Sequence, residues 1–143
     1  MKKTLILNSP SRIHLGFLEL NQNSNRIFGS LGLTISKFED IITIQENKEF
    51  EVETKNPSLK KKIEKILKIF SNIKKIKKCK IVVEKFIPIH QGLGSGTQLS
   101  LSVGFLISEL NDLKMNIQEI SKTLDRGNRS GIGIEAFESG GFI

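Results

Sequence analysis

The segment richest in reactive possibility is Pro88-Ile89-His90-Gln91-Gly92-Leu93-Gly94-Ser95-Gly96-Thr97-Gln98. Its three alternating glycines leave backbone N–H groups uncovered and let a ligand approach the main chain closely. An apolar stretch follows, so the loop opens a helix. The first-turn N–H groups and the positive end of the helix dipole favour an anion there. Ser95 and Thr97 add hydroxyl donors. Gly92, Leu93, Gly94, Ser95, Gly96 and Thr97 are therefore the candidate cradle for a phosphate or pyrophosphate. The spacing is not that of a Walker A loop, because no lysine follows Gly96.

Two further clusters supply side chains. One is Arg126-Gly127-Asn128-Arg129-Ser130-Gly131-Ile132-Gly133-Ile134-Glu135, where two arginines three residues apart sit among Gly and Ser. The other is Ser9-Pro10-Ser11-Arg12-Ile13-His14-Leu15-Gly16, where Arg12 and His14 share one face of a strand. The chain has 18 lysines and only four arginines (Arg12, Arg26, Arg126 and Arg129). An arginine kept against that bias offers a planar, bidentate fork for an oxyanion. Arg12, Arg126 and Ser130 are the candidate substrate-binding residues. His14, His90 and Arg129 are the candidate catalytic residues, the histidines because imidazole ordinarily titrates near neutrality. Glu135 or Glu138 is a candidate contact for a divalent ion such as Mg, with the metal ligands otherwise unknown.

The elements that must position these groups follow from periodicity. Thr4–Asn8 and Arg12–Leu20 read as strands interrupted at Ser9-Pro10-Ser11, and Asn21–Asn25 as a turn. Ile27–Ser36 reads as a bent strand. Phe38–Gln45 and Glu49–Thr54 read as a hairpin. Asn56-Pro57 signals a helix start, and Leu59, Ile63, Ile66, Leu67, Phe70 and Ile73 recur at helical spacing behind it. Lys80–Phe86 is a strand, and a helix runs from about Thr97 to Asn111. That helix is apolar or small nearly all round, so it should be buried. Asn116 with Glu119 starts a third helix, ending near Asp125. The expected fold class is α+β, a mostly antiparallel sheet with helices on one face.

Composition narrows the function. The 143 residues carry a net charge of +7, which invites a nucleic-acid reading. Residues Lys60 to Lys80, however, hold ten lysines and one acid, Glu64, which leaves the other 122 residues at −2. The basic balance therefore belongs to one amphipathic helix and its following turn, read as a solvated face. No nucleic-acid partner is expected. A single cysteine, Cys79, excludes an internal disulfide and a cysteine-built zinc site. The start is too short in apolar residues for a signal peptide, and no apolar run is long enough to span a membrane. The expectation is a cytoplasmic protein that meets no membrane. The ending, Gly140-Gly141-Phe142-Ile143, reads as a strand just beginning, so a fragment of a longer protein is expected.

The three clusters, in this order, resemble the motifs of the GHMP kinase superfamily (galactokinase, homoserine kinase, mevalonate kinase and phosphomevalonate kinase). Pro88–Gly96 resembles its Pro-x-x-x-Gly-Leu-Gly-Ser-Ser loop, with Gly96 in place of the second Ser. Ser130–Gly133 and Gly140-Gly141 resemble its Ser-Gly-Ile-Asp and Gly-Gly, with Gly133 in place of the Asp. "SRIHLGFLELN", "FGSLGLTI", "HQGLGSGTQLSLSVG" and "RGNRSGIGIEAFESGGF" look most like the beta-ribofuranosylaminobenzene 5'-phosphate synthase branch. The resemblance covers nearly the whole chain. It implies the ribosomal-protein-like N-terminal domain of that superfamily, with the C-terminal domain absent, and a homodimer. It also implies a transferase that joins phosphoribosyl pyrophosphate to 4-aminobenzoate or 4-hydroxybenzoate, losing pyrophosphate and carbon dioxide, on the path to tetrahydromethanopterin. Gly92–Thr97 would hold the pyrophosphate. An arginine would pair with the 5'-phosphate or the benzoate carboxylate. The alternative is an ATP-dependent small-molecule kinase, and ATP enters only under it. Gly133 argues against that alternative, since the absent acid is the group that would orient or deprotonate a hydroxyl substrate.

Overall fold

The computed structural model describes residues 2–19, 28–128 and 130–143. The expected turn at Asn21–Asn25, as well as Arg26 and Arg129, lie outside the described residues. Eight elements follow in order: β1 (Thr4–Glu19), β2 (Phe28–Glu46), β3 (Glu51–Glu53), α1 (Pro57–Ile73), β4 (Cys79–Lys85), α2 (Ser95–Leu110), α3 (Ile117–Thr123) and α4 (Ile132–Glu138).

The sheet order is β1-β2-β4-β3. The β1/β2 and β2/β4 pairs are antiparallel and β3/β4 is parallel. The class is α+β as expected, with one strand changing the sheet from antiparallel to mixed. That strand also corrects the expected hairpin. Glu51–Glu53 does not fold back on β2, because β4 sits between them. β2's neighbour is β4, paired from Ile41↔Lys85 to Glu46↔Cys79. The buried residues Ile42, Ile44, Cys79, Ile81 and Val83 alternate along β2 and β4, as period-two strands with one covered face require.

β1 is also continuous where a break was expected. Ser9 and Ser11 are buried: Ser102 Oγ donates to Ser9 Oγ (2.9 Å) and Ser11 Oγ donates to the Ile35 carbonyl (3.1 Å). The proline signal appears instead as a register shift: Pro10 faces Glu39 while Ser11 faces Ile35. Beyond it, Arg12 and His14 become half-buried. Leu15 and Phe17 on the opposite face are 55% and 61% exposed.

The helices follow their sequence signals. Asn56 Oδ1 accepts from the Ser58 and Leu59 N–H groups, and Pro57 opens α1, whose Leu59, Ile63, Ile66, Leu67 and Phe70 are buried. The Asn116–Glu119 capping box opens α3. α2 begins two residues earlier than expected. It is buried along most of its length, from Gln98 to Leu110, against β1, β2, α1, α3 and α4. α4 was not expected at all, since its glycines disguise a helix. The ending begins to pair as a strand: Phe142 bridges Leu33, and Gly32 and Ile143 exchange two backbone hydrogen bonds (2.9 Å each). Among the described residues no helix is long and apolar enough to cross a membrane.

Gly104 allows α3 to lie against α2. A Cβ there would stand 2.6 Å from Ile120 Cγ2 and 3.1 Å from Leu124 Cδ1. Ile120 is fully buried and stiff at χ1, so it cannot simply turn aside. Gly104→Ala should therefore destabilise the fold by about 1–3 kcal/mol in urea denaturation, despite the better helix propensity of alanine.

Candidate functional site

The cradle is built from backbone. His90, Gly92 and Gly94 all adopt left-handed conformations (φ 60°, 73° and 80°), which folds Ile89–Gly94 into a tight loop. Gly94 is the N-cap residue of α2 and brings no side chain to cap it. Its carbonyl accepts from the Thr97 and Gln98 N–H groups (3.1 and 3.0 Å). Ser95 and Gly96 occupy the first-turn positions whose N–H groups have no partner within a helix. An uncapped N-terminus of a buried sixteen-residue helix suits an anion.

Each surrounding element sends a residue to this turn. From β1, the Arg12 N–H donates to the Leu93 carbonyl (2.9 Å) and Arg12 Nη1 donates to the Gly92 carbonyl (3.4 Å). The Arg12 guanidinium also fills the space over Gly94, where a Cβ would stand 2.9 Å from Nε. From α1, Lys62 Nζ donates to the Gly96 carbonyl (2.7 Å). From α4, the Gly133 carbonyl accepts from Gln98 Nε2 (2.8 Å). A cavity of about 390 Å³ opens here, lined by Arg12, Lys62, His90, the loop glycines, Ser95, Thr97 and Arg126. A second, of about 460 Å³, shares Arg12, Thr97 and Arg126 and extends to Asp125, Asn128 and Ser130. The two make one cationic groove.

The structure thus gathers Arg12, His90, Gly92, Gly94, Ser95, Gly96, Thr97 and Arg126, with Ser130 at the far end. Leu93 contributes its carbonyl to hold β1 rather than its side chain to the cavity lining. Ser130 Oγ accepts from the Ile132 N–H and so also shapes the start of α4. His14 lines neither cavity; its ring packs on Phe17 at 4.6 Å and its Nε2 is buried without a partner among the described residues. Glu135 and Glu138 also lie off the lining, and Glu135 accepts from Ser139 Oγ (2.7 Å). Asp125 is, among the described residues, the one carboxylate that lines the two cavities. Among the described residues no three His, Cys, Asp or Glu side chains gather to hold a metal.

Lys62 corrects the reading of α1 as a purely solvated lysine face. Its position carried a signal: it lies three residues after Leu59 and four before Ile66, on the buried stripe itself. Asp40 on β2 also escaped notice. It is 1% exposed, its Oδ1 accepts from the Ile87 N–H (2.9 Å), and its Oδ2 has no partner among the described residues. Burial pushes its pKa up to about 7, against the Ile87 hydrogen bond and the attraction of Lys62. Burial, then the neighbouring Arg126 charge, push Lys62 down to about 8, while Asp40 pulls the other way. Burial also lowers Arg12 from its ordinary value.

Gly133 has a steric reason. A Cβ there would stand 2.8 Å from Thr97 Cγ2 and 3.3 Å from Thr97 Cβ. An acid at this position would require the Thr97 side chain to shift.

Residues 59–141 match the GHMP kinases N terminal domain, and the chain belongs to that family. It is 34% identical to beta-ribofuranosylphenol 5'-phosphate synthase of Methanothermobacter thermautotrophicus, over 97% of this chain and 45% of that protein. It is 36% identical to the protein of the same name from Methanocaldococcus jannaschii, over 97% of this chain and 46% of that one. The chain thus spans just under half the length of these relatives. Among solved structures it is similar in fold to Streptococcus pneumoniae phosphomevalonate kinase (TM-score 0.65, 11% identity, 97% of this chain and 47% of that one). It is also similar to Staphylococcus aureus mevalonate diphosphate decarboxylase (TM-score 0.63, 19% identity, 99% and 45%).

The two displaced pKa values set a pH dependence of stability. Asp40 releases its proton near 3.8 when unfolded and near 7 when folded. Between those values the native state binds more protons, so stability falls as pH rises, and above about 7 this contribution is flat. Lys62 loses its proton near 8 when folded and near 10.5 when unfolded, so stability rises with pH between those values. Relative to Asp40→Asn, the native chain should lose about 3 kcal/mol between pH 4 and 8. Urea titrations of both proteins across that range measure the difference.

Proposed function

We propose that this chain is the phosphate-binding half of a synthase that joins phosphoribosyl pyrophosphate to a 4-substituted benzoate, releasing pyrophosphate and carbon dioxide. The observation that carries this reading is the groove itself. Arg12 and Lys62 meet the uncapped first turn of α2, Arg126 lines the same cavity, and a glycine stands where the superfamily's kinases carry an acid. Such a groove accepts a diphosphate and a second anionic group, and position 133 offers no acid to orient the hydroxyl of an alcohol substrate. The relatives named for a ribofuranosylphenol phosphate favour 4-hydroxybenzoate over the amino compound. The family likeness adds a C-terminal domain that completes the site, a homodimer and a place in tetrahydromethanopterin synthesis.

In this mechanism the anomeric C–O bond to pyrophosphate breaks and an oxocarbenium-like carbon develops. The ring carbon bearing the carboxylate attacks it. The carbon–carboxylate bond then breaks, its electron pair restores the aromatic ring, and carbon dioxide leaves. The cradle N–H groups and the cations take up the charge growing on the leaving pyrophosphate. Arg126 and Ser130, farther along the groove, hold the second anion, the 5'-phosphate or the benzoate carboxylate. His90, on the cavity wall, accepts the hydroxyl proton as the ring attacks and returns it afterwards. His14 has no step here, since it lines neither cavity. Most of the catalytic work is positioning and charge stabilisation.

The test is an assay of the complete protein carrying this chain, with phosphoribosyl pyrophosphate and carboxyl-labelled 4-hydroxybenzoate. Labelled carbon dioxide and pyrophosphate should appear in equal amounts. ADP formation from ATP and a small alcohol, without carbon dioxide release, would instead establish the kinase. Arg126→Ala should lower kcat/KM by about 10- to 100-fold, the scale of a lost charge-assisted bond.

A further inference from the structure

We propose that Lys62 is itself a ligand of the bound anion, with Gly96 vacant of a side chain so that the ammonium can stand over the first turn of α2. The inference rests on the cradle's holding a diphosphate, and it adds a residue from α1 that none of the three sequence clusters contains.

The geometry ties the two positions together. Lys62 Nζ lies 2.7 Å from the Gly96 carbonyl, and a Cβ on residue 96 would stand 3.1 Å from that nitrogen. A side chain at position 96 would crowd the ammonium. The loop pattern that Pro88–Gly96 resembles has a serine there, so in this chain a lysine cation takes the place of a seryl hydroxyl.

The bond to Gly96 does not by itself explain the lysine. The same carbonyl also accepts from Ser100 Oγ (2.8 Å), so it is satisfied without Lys62. An ammonium has three protons to donate, and this bond uses one. Lys62 forms no salt bridge among the described residues. Its near neighbour Arg126 repels it, and its attractive neighbour Asp40 is buried, with burial favouring the carboxyl's protonated form. Placing a third cation beside Arg12 and Arg126 in a half-buried cavity is unfavourable until an anion arrives. The remaining ammonium protons belong to that cavity, which Lys62 lines beside Ser95, Gly96 and Thr97.

Calorimetric titration of inorganic pyrophosphate into the complete protein tests this, with Lys62→Met, Lys62→Arg and the unaltered chain compared at two salt concentrations. Lys62→Met should weaken binding at least tenfold and flatten its salt dependence. Lys62→Arg should stay within about threefold, and the melting temperature of neither variant should fall. Pyrophosphate should also protect Lys62 from acylation near pH 8, as mapped by mass spectrometry, while lysines on the outer face of α1 react as before. Unchanged affinity in Lys62→Met, or no protection, would overturn the proposal. So would loss of affinity in both variants together with a lowered melting temperature, which would mark Lys62 as a structural clamp. If the unaltered protein bound inorganic phosphate with this Lys62 dependence but not pyrophosphate, the diphosphate reading would fall and the role of Lys62 would stand. Binding of neither anion would remove both.

Discussion

The first turn of α2 is the constraint to which the other elements answer. Burial of α2 along most of its length fixes where its N-terminus points, and Gly94 leaves that end without a side-chain cap. β1 grips the loop through Arg12 and the Leu93 carbonyl, α1 reaches it through Lys62, and α4 reaches it through Gly133 and Gln98. A helix end held from three directions cannot relax to satisfy its own N–H groups. It therefore leaves them turned toward the groove, the arrangement that preorganisation for an anion calls for.

That arrangement has an electrostatic cost. Among the described residues three cations converge on one groove, and Asp125 is the one carboxylate on its walls. Asp40 lies behind them, fully buried and bonded to the Ile87 N–H, where it tempers Lys62 without entering the cavity lining. The fold bears this strain because the core beneath is apolar and continuous: Ile42, Ile44, Ile63, Ile81, Leu101 and Ile107 are fully buried together. Stability made in the core is partly given up at the site, a division common where binding groups are held ready for an absent charge.

Much of this was legible in the sequence. The glycine-rich loop, the Asn56 and Asn116 caps and the burial of α2 all rest on local rules, and local rules survive folding. What stayed hidden was non-local. The parallel pairing of β3 with β4 depends on the 25-residue excursion through α1, which no turn signal announces. α4 hid because Gly131 and Gly133 are poor helix formers, and their presence reflects neighbours rather than propensity. Lys62 hid among nine other lysines between Lys60 and Lys80. Its residue type said "solvated" while its position on the Leu59–Ile66 stripe said "inward". Asp40 was one acid in a strand until Ile87 came to rest against it.

The contact between Gly133 and Thr97 bears on how such a domain changes its trade over evolutionary time. Glycine and aspartate codons differ by a single base, so on paper an acid is always one mutation away. Here the methyl of Thr97 stands in the way, since the first carbon of any side chain at 133 would press against it. An acid at this place would require the Thr97 side chain to turn aside or be replaced by a smaller one. The close packing of α4 on α2 thus couples two positions: what stands at 133 depends on what stands at 97.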